Sequence, residues 1–524
     1  MSEVSAFSGL VSPPVERRNG EAGRAQSPLI PYAAILIVAA LLVLPAGLAP
    51  RAHDSFWIDW VWADQFTSEL RRGNPYPRWL PSSHGGLGSP VFYYYPPLAF
   101  YLSGLLGLAG LSTYGSVIGA FGLGIAGSGL AMYHWLKDWT RFPLLGALFF
   151  MAGPYHMFDL YGRGALAETV AVAFIPLLAL GIRRVANDRG SLMLTLAYAG
   201  LIVTHLPLAL LTSLFFVAPY GIALARKRLE TLFRLGFALF LGIGLSAIYL
   251  VPALALEPYR DVAALWALPE FRAENWSLVF SPSPGELNIR FVMAAIVASL
   301  VFPILYFFFK QRSGWPAFAA FCCLLTTGWI PILWSLPLLE TVQFPYRVLP
   351  LAEFGIGTAI ALFPGTRRFL ALALFPPLAL SFLFVAAPAG DSAAGRLEAL
   401  RPSYPDVPEN LPPGERPRSL PSQWALNIAA AHRSPAVAGG NTVLPTFYFP
   451  SWTVRCAGRA VPTFPDPETA LLSYRGSNCT PRLRWTAAEK AGALTSAFAL
   501  LLAMGLAMLR RMKRAEPVFS LRSE

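Results

Sequence analysis

Residues 29–49, LIPYAAILIVAALLVLPAGLA, contain no charged side chain, and this run decides the class of fold. A hydrocarbon core of about 30 Å is crossed by about 20 consecutive apolar residues in a helix. The stretch that follows, RAHDSFWIDW at residues 51–60, mixes ionisable and aromatic side chains. The sequence therefore predicts a membrane-spanning helix with a group of polar, chemically versatile side chains directly at its end.

The composition extends this prediction to the whole chain. Of 524 residues, 55% are hydrophobic and 13% are charged, and the mean hydropathy is +0.50. Soluble domains carry about 25% charged residues. We predict an all-α polytopic membrane protein with about twelve transmembrane helices. The predicted spans are 29–49, 112–136, 142–158, 165–182, 191–206, 207–225, 233–253, 290–309, 315–335, 346–364, 367–388 and 487–509.

The basic residues set the orientation of these spans. Lys and Arg give a net charge of +12, and most of them lie in short clusters between apolar runs, for example at 183–189, 226–228 and 510–514. Such clusters mark cytoplasmic loops. We therefore expect both termini on the cytoplasmic side of the membrane. The same distribution argues against a nucleic-acid partner.

The chain divides into five predicted segments. These are a disordered cytosolic tail (1–28), a transmembrane domain (29–388) with its first outer loop at 50–111, a Pro-rich, β-containing outer region (389–486), the last span (487–509) and a basic cytosolic tail (510–524). Residues 97–110 are predicted to form a helix at the outer interface. Cys456 and Cys479 are expected to form a disulfide if the outer region faces an oxidising compartment.

Nine ionisable residues are predicted to converge at the outer side. They are His53, Asp54, Asp59, Arg78, Arg163, Glu168, His205, Arg347 and Glu353. Arginine forks bind phosphate oxygens through paired hydrogen bonds, and a carboxylate removes a proton from a hydroxyl group. This set of residue types suits a substrate with a phosphate head and a lipid tail.

Several residues of the first loop have two interpretations. Asp54 precedes a helical pattern, so it is a helix N-cap or a catalytic base. Asp59 and Asp64 are expected on the solvated face of that helix. Arg78 follows a proline in a turn and is either a phosphate contact or an interfacial anchor.

The later candidates also have structural alternatives. Arg163 and Glu168 are either functional residues or, at a helix start, structural residues paired to other side chains. Glu353 lies about two turns into a predicted span, where an unpaired carboxylate is costly, so Arg163 or His205 is the expected partner. His205 is more often a buried, hydrogen-bonded histidine than a ligand. Arg347 is the second choice after Asp54, as an anchor for a lipid phosphate.

Six short motifs carry a family resemblance. They are HDSFWIDW (53–60), GNPYPRWLP (73–81), YGRGALAE (161–168), THLP (204–207), QFPYR (343–347) and FPSW (449–452). With these motifs the chain resembles the membrane glycosyltransferases of the GT-C superfamily. More narrowly, it resembles the bacterial membrane family labelled 6-pyruvoyl-tetrahydropterin synthase-related. Soluble pterin synthases have a zinc site built on histidines, and the six histidines here form no such cluster in the sequence.

The resemblance implies an inverting transfer of a sugar from a polyprenyl-phosphate donor to a glycan, lipid or protein acceptor. GT-C enzymes place a catalytic acid in the first outer loop, which by position is Asp54. The family's paired acids are replaced here by His53–Asp54 and then Asp59, which leaves the base and the use of Mg²⁺ or Mn²⁺ open. A transporter or flippase for a lipid-linked glycan and a non-catalytic scaffold are the alternatives.

Overall fold

The computed structural model describes residues 29–49, 55–225, 228–266, 269–276, 287–311, 313–363, 369–387, 393–414, 421–438 and 440–515. It is mostly helical, with two small sheets near the C-terminus. The α-helices are α1 Ile30–Leu48, α2 Phe56–Arg71, α3 Ser83–Gly86, α4 Val91–Tyr94, α5 Leu98–Leu108, α6 Thr113–Leu136, α7 Pro143–Met151, α8 Pro154–Phe158, α9 Leu166–Val172, α10 Phe174–Ala186, α11 Leu192–Ile202, α12 Leu206–Thr212, α13 Ala218–Ala225, α14 Leu229–Leu245, α15 Ala247–Ala255, α16 Val262–Trp266, α17 Leu287–Lys310, α18 Trp315–Thr327, α19 Pro331–Trp334, α20 Leu349–Leu362, α21 Leu370–Ala386, α22 Ala393–Glu398, α23 Pro421–Ala431 and α24 Ala487–Ala515. The strands are β1 Ala436–Ala438, β2 Asn441–Phe447, β3 Trp452–Cys456, β4 Arg459–Val461, β5 Thr463–Pro465, β6 Leu471–Tyr474 and β7 Cys479–Leu483.

Six helical stretches in the described residues are long and apolar enough to cross a membrane, and a seventh consists of α14 and α15, which are bent by 67°. The six coincide with the predicted spans at 29–49, 112–136, 165–182, 207–225, 290–309 and 487–509. The other predicted spans are shorter or interrupted helices, such as α7 and α8 on either side of Gly153. The count of about twelve therefore stays a prediction.

Helix α6 lies at the centre of the helical packing. It contacts α1, α7, α9 and α10, and its sequence GAFGLGIAGSG supplies small residues that allow close approach. A Cβ atom at Gly124 would lie 3.1 Å from the Cα atom of Val170. Outward positions such as Leu41, Phe240 and Leu501 are more than half exposed. Small residues between helices and large apolar residues outside are typical of helices packed within lipid.

The first loop is folded and largely buried. Asp59 and Asp64 are 3% and 8% exposed, so the expectation of a solvated helix face is wrong for both. Asp59 accepts a hydrogen bond from the backbone of Leu166, and Asp64 pairs with Arg401 at 3.1 Å. These partners are more than a hundred residues away along the chain, so the local pattern of α2 could not reveal them.

The C-terminal sheets are packed against the first loop. One sheet has the strand order β1-β2-β6-β5 and the other has β4-β3-β7, all with antiparallel neighbours. Cys456 and Cys479 face each other across β3 and β7 and form a disulfide. Trp62 donates a hydrogen bond to Asp406, and Phe447 donates one from its backbone to Leu87. The β-containing region is confirmed, and it shares its packing with residues of the first loop.

Candidate functional site

The site is built around an irregular helical segment between α8 and α9. Helix α8 continues into a π-helix, Asp159–Arg163, which ends at Gly164 with φ of +68°. A Cβ atom at Gly164 would lie 2.4 Å from the Cβ atom of Phe56, so glycine is required for the approach of α2. The Ser55 amide donates to the Arg163 carbonyl at 2.9 Å, and the Leu166 amide donates to Asp59 at 2.9 Å. The start of α2 is thereby fixed to the turn that carries Arg163.

The carboxylate of Glu168 is the centre of a buried network, which we call the Glu168 network. Arg163 donates to it from Nη1 at 2.7 Å, Tyr155 donates from its hydroxyl at 2.7 Å, and Arg347 donates from Nε at 3.3 Å. The Nε2 atom of His205 lies 4.0 Å away. The Glu168 side chain has no exposed surface. The predicted convergence of Arg163, Glu168, His205 and Arg347 is thus matched by the described geometry.

Charge is closely balanced in this network. Arg163 also donates from Nη1 to Asp159 at 2.8 Å, so two guanidinium groups stand against two carboxylates. The Arg163 guanidinium carbon lies 5.7 and 5.3 Å from the ring centres of Phe344 and Tyr346. Buried ions are tolerated when they are paired and hydrogen-bonded, whereas removal of one partner is strongly destabilising.

Two donors at the edge of the Glu168 network are unfilled. Arg347 uses Nη1 on the Val342 carbonyl at 2.7 Å and on the side chain of Gln343 at 3.2 Å, while its Nη2 atom has no hydrogen-bond partner among the described residues. His205 caps α12 by accepting from the Leu208 amide at 3.2 Å through Nδ1, which assigns the proton of its neutral ring to Nε2. Within the same described part of the chain, Nε2 also lacks a hydrogen-bond partner.

Glu353 has a different partner from the predicted one. Its carboxylate accepts from the backbone amide of Tyr155 at 2.6 Å and contacts Nδ1 of His156 at 2.8 Å, so the expected pairing with Arg163 or His205 is wrong. A Cβ atom at Gly153 would lie 2.4 Å from the Glu353 carboxyl carbon. The interruption of the helix at Gly153 turns the first amides of α8 toward α20.

His156 and Tyr155 are the site residues that sequence reasoning missed. The span predicted at 142–158 is one continuous helix, which would leave its backbone amides bonded within the helix. The Gly153–Pro154 pair was the available signal, because proline is favoured in the first turn of a new helix.

Arg78 lies in a separate cluster. It pairs with Glu489 in the first turn of α24, and its guanidinium carbon lies 4.6 Å from the ring centre of Trp485 and 5.2 Å from that of Tyr93. Glu489 also accepts from the backbone amide of Thr486, which closes the start of the last helix. These contacts favour the anchoring interpretation of Arg78. The predicted residues His53 and Asp54 lie outside the described residues.

A cavity of about 280 Å³ lies beside the network. Its walls include Trp266, Arg272, Glu274, Glu340 and Thr341. The wall residue Thr341 directly precedes Val342 and Gln343, which both accept from Arg347. An aromatic ring with carboxylates and an arginine is a suitable lining for a polar ring such as a sugar. In the described part of the chain, no three His, Cys, Asp or Glu side chains are arranged to hold a metal ion.

Comparison with known proteins gives a family and three distant structures. The family model described as "6-pyruvoyl-tetrahydropterin synthase related domain; membrane protein" matches residues 92–387. No curated protein matches the chain. The structural neighbours are GT-C glycosyltransferases.

Three of these structures have TM-scores of 0.40 to 0.44. The arabinofuranosyltransferase AftD from Mycobacteria is 18% identical, with 71% of this chain and 27% of AftD covered, so the chain spans about a quarter of its length. ArnT from Cupriavidus metallidurans, bound to undecaprenyl phosphate, is 16% identical, with 76% and 69% covered. AglB from Archaeoglobus fulgidus, with an inhibitory peptide and a dolichol-phosphate, is 12% identical, with 74% and 61% covered.

Proposed function

We propose, from the premise that this chain belongs to the 6-pyruvoyl-tetrahydropterin synthase-related family of membrane proteins, that it is a membrane glycosyltransferase. Its donor is a polyprenyl-phosphate sugar; the undecaprenyl phosphate and dolichol-phosphate named above are lipid phosphates of the same kind without the sugar. Its acceptor is a glycan, lipid or protein of the cell envelope. The reaction takes place at the outer face of the cytoplasmic membrane.

One observation carries the proposal. The Nη2 atom of Arg347 and the Nε2 atom of His205 are donors without a hydrogen-bond partner among the described residues, and both residues flank Glu168. The side chains of Arg347 and His205 are only 8% and 7% exposed, so two unfilled donors beside Glu168 indicate a place for an acceptor group. A phosphate offers oxygens to both at once, and it forms its strongest hydrogen bonds with arginine.

The network would hold the leaving group of the reaction. Arg163 and Arg347 supply positive charge where the phosphate oxygen gains charge as the sugar carbon separates from it. Glu168 fixes both guanidinium groups, and Asp59 fixes the turn that carries Arg163. Glu353 fixes the start of α8 through the Tyr155 amide. These carboxylates therefore act as positioning residues.

Asp54 is the proposed base. It precedes Ser55, whose amide is bonded to the Arg163 carbonyl, so the sequence neighbour of Asp54 is tied to the phosphate-binding turn. Its carboxylate takes the proton of the acceptor hydroxyl as the new bond from oxygen to the sugar carbon forms. The bond from that carbon to the phosphate oxygen breaks, with inversion, and polyprenyl phosphate leaves as an anion.

The interrupted helices favour a second candidate, a transporter or flippase for a lipid-linked glycan. Transporters build substrate sites from broken helices near the middle of the membrane. The bend of 67° between α14 and α15 and the break at Gly153 have this character. A transporter would bind the lipid without cleaving it, and so would a non-catalytic scaffold.

Donor turnover tests the proposal. Purified wild type, Asp54→Asn and Arg347→Gln are incubated with a panel of polyprenyl-phosphate sugars and acceptors, and release of polyprenyl phosphate is measured. We expect release by wild type, loss of at least a hundredfold in the rate constant with Asp54→Asn, and weaker donor binding with Arg347→Gln. Arg475→Gln, an exposed arginine of the β region, is the matched control. Donor binding without release by wild type would overturn the proposal in favour of transport or a scaffold.

A further inference from the structure

The three-stranded sheet presents a set of arginines that the proposed reaction does not use. Successive side chains of a strand point to opposite faces. In β3, Val454 points inward and is fully buried, while Thr453 and Arg455 point to the other face. That face borders a cavity of about 320 Å³, whose lining includes Thr453, Arg455, Asn478, Thr480, Arg482 and Arg484, and no acidic residue. We call Arg455, Arg482 and Arg484 the arginine face.

The strand register places the three arginines near one another on the same face. Arg455 is opposite Thr480, so Arg482 is its diagonal neighbour, at about 7–8 Å for such positions. Arg484 follows two residues later, about 7 Å along the chain. All three side chains are exposed, and among the described residues none of them forms an ion pair. Three like charges at this spacing repel one another, and a bound anion would remove the repulsion.

The arginine face lies next to a membrane span. Arg484 is three residues before Ala487, where the apolar helix α24 begins. Leu483 and Trp485 on either side of Arg484 are each 40% exposed. Tryptophan is enriched at the level of the lipid headgroups, and an arginine at that level can donate hydrogen bonds to lipid phosphates. The sequence neighbours of Arg484 therefore have the character of an interfacial segment.

We propose that the arginine face binds the phosphate of an anionic phospholipid headgroup and so holds the β region against the membrane surface. The guanidinium groups of Arg455, Arg482 and Arg484 would donate to the phosphate oxygens, with the geometry that arginine forks offer to phosphate. The Thr480 hydroxyl and the Asn478 amide border the same cavity and are placed to contact the polar remainder of the headgroup. This site is independent of the Glu168 network.

Lipid binding to the purified full-length chain tests the inference. The chain in neutral detergent is titrated with phosphatidylglycerol or phosphatidylcholine, and bound lipid is counted by native mass spectrometry. We expect wild type to retain phosphatidylglycerol preferentially. Substitution to glutamine should weaken that binding about fivefold for each arginine and about a hundredfold for Arg455→Gln, Arg482→Gln and Arg484→Gln together.

Two controls make the result decisive. The first control is Arg459→Gln, which changes an exposed arginine of β4. Arg459 is opposite Cys456 in the strand register, so it lies on the other face of the sheet from Arg455. This variant should leave lipid binding unchanged. Inorganic phosphate is added as a competitor at equal concentration. The inference would be overturned if wild type and the triple variant bound the same amount of phosphatidylglycerol. Displacement of the lipid by inorganic phosphate alone would also overturn it. A wild-type melting temperature in the triple variant separates loss of binding from loss of folding.

Discussion

The Glu168 network and the arginine face use the same side chain in opposite ways. In the network, Arg163 and Arg347 are buried and each is bonded to Glu168. On the arginine face, the guanidinium groups are exposed and lack ion pairs within the described part of the chain. A buried guanidinium needs a carboxylate, whereas an exposed one is solvated by water and keeps its charge for an external anion.

The arginines of the two regions differ in what they contribute: the buried ones stabilise the fold, and the exposed ones offer hydrogen-bond donors to a ligand. The buried arginines hold a fixed geometry, and within the described residues the Nη2 atom of Arg347 remains for a ligand. The exposed arginines contribute little to folding, but all of their donors can bind a ligand. Mutations should therefore have large effects on stability in the first region and small effects in the second.

The largest effect is expected for Glu168→Gln. Glutamine keeps the shape but removes the charge that faces Arg163 and Arg347, and breaking a buried ion pair lowers the free energy of unfolding by about 3–5 kcal/mol. Chemical denaturation of the purified chain measures it. Glu398→Gln, which breaks the exposed pair with Arg401, is the control and should change stability by less than about 0.5 kcal/mol. Equal effects of the two substitutions would contradict the comparison.

Asp406 differs from the buried carboxylates of the Glu168 network, because it accepts hydrogen bonds from Trp62 and from the Val407 amide but forms no ion pair with any described residue. Burial raises the pKa of Asp406 from its usual value to about 6. The folded chain then binds more protons than the unfolded chain between about pH 4 and pH 6, so stability should fall as pH rises through this window, by about 2–3 kcal/mol.

Asp406→Asn tests this pH dependence. Asparagine keeps an oxygen that accepts from Trp62 but does not ionise, so the variant should lose most of the change in melting temperature between pH 4 and pH 6. At pH 7 it should be at least as stable as wild type. A wild-type pH profile in the variant would show that another group titrates.

Gly153→Ala tests the geometry of the buried contacts. The added Cβ atom would lie 2.4 Å from the Glu353 carboxyl carbon, and we expect a loss of about 1–3 kcal/mol in the free energy of unfolding. Gly236→Ala is the matched control, because a Cβ atom at Gly236 in α14 meets nothing within 4 Å. Alanine is the better helix former, so the control should be neutral or slightly stabilising.

The smallest effect is expected for Arg455→Gln. This exposed arginine makes no ion pair among the described residues, so the free energy of unfolding should change by less than about 0.5 kcal/mol in the absence of anionic lipid. Thermal unfolding with phosphatidylglycerol should then show a smaller stabilisation than in wild type. A large loss of stability without lipid would mean that the arginine face is structural.

The sequence was sufficient for the membrane class, the β-containing region and the convergence of Arg163, Glu168, His205 and Arg347. Apolar runs and basic clusters report directly on spans and their connections, and charged residues at the edges of spans must turn toward the protein. The membrane-spanning helices were predicted for these reasons, whereas the family was predicted from the six short motifs that carry the resemblance. The orientation of the termini and the role of Asp54 stay predictions.

The sequence alone determined what its local patterns encode: apolar length, charge placement and strand alternation, including the separation of Val454 from Arg455. The partners of the buried charges depend on the three-dimensional fold, as His156 for Glu353, Leu166 for Asp59 and Glu489 for Arg78 show. A buried charge is stabilised by whichever group the fold brings within about 3 Å. Which group that is depends on helix interruptions and on residues far away along the chain. Neither of these produces a periodic pattern in the sequence.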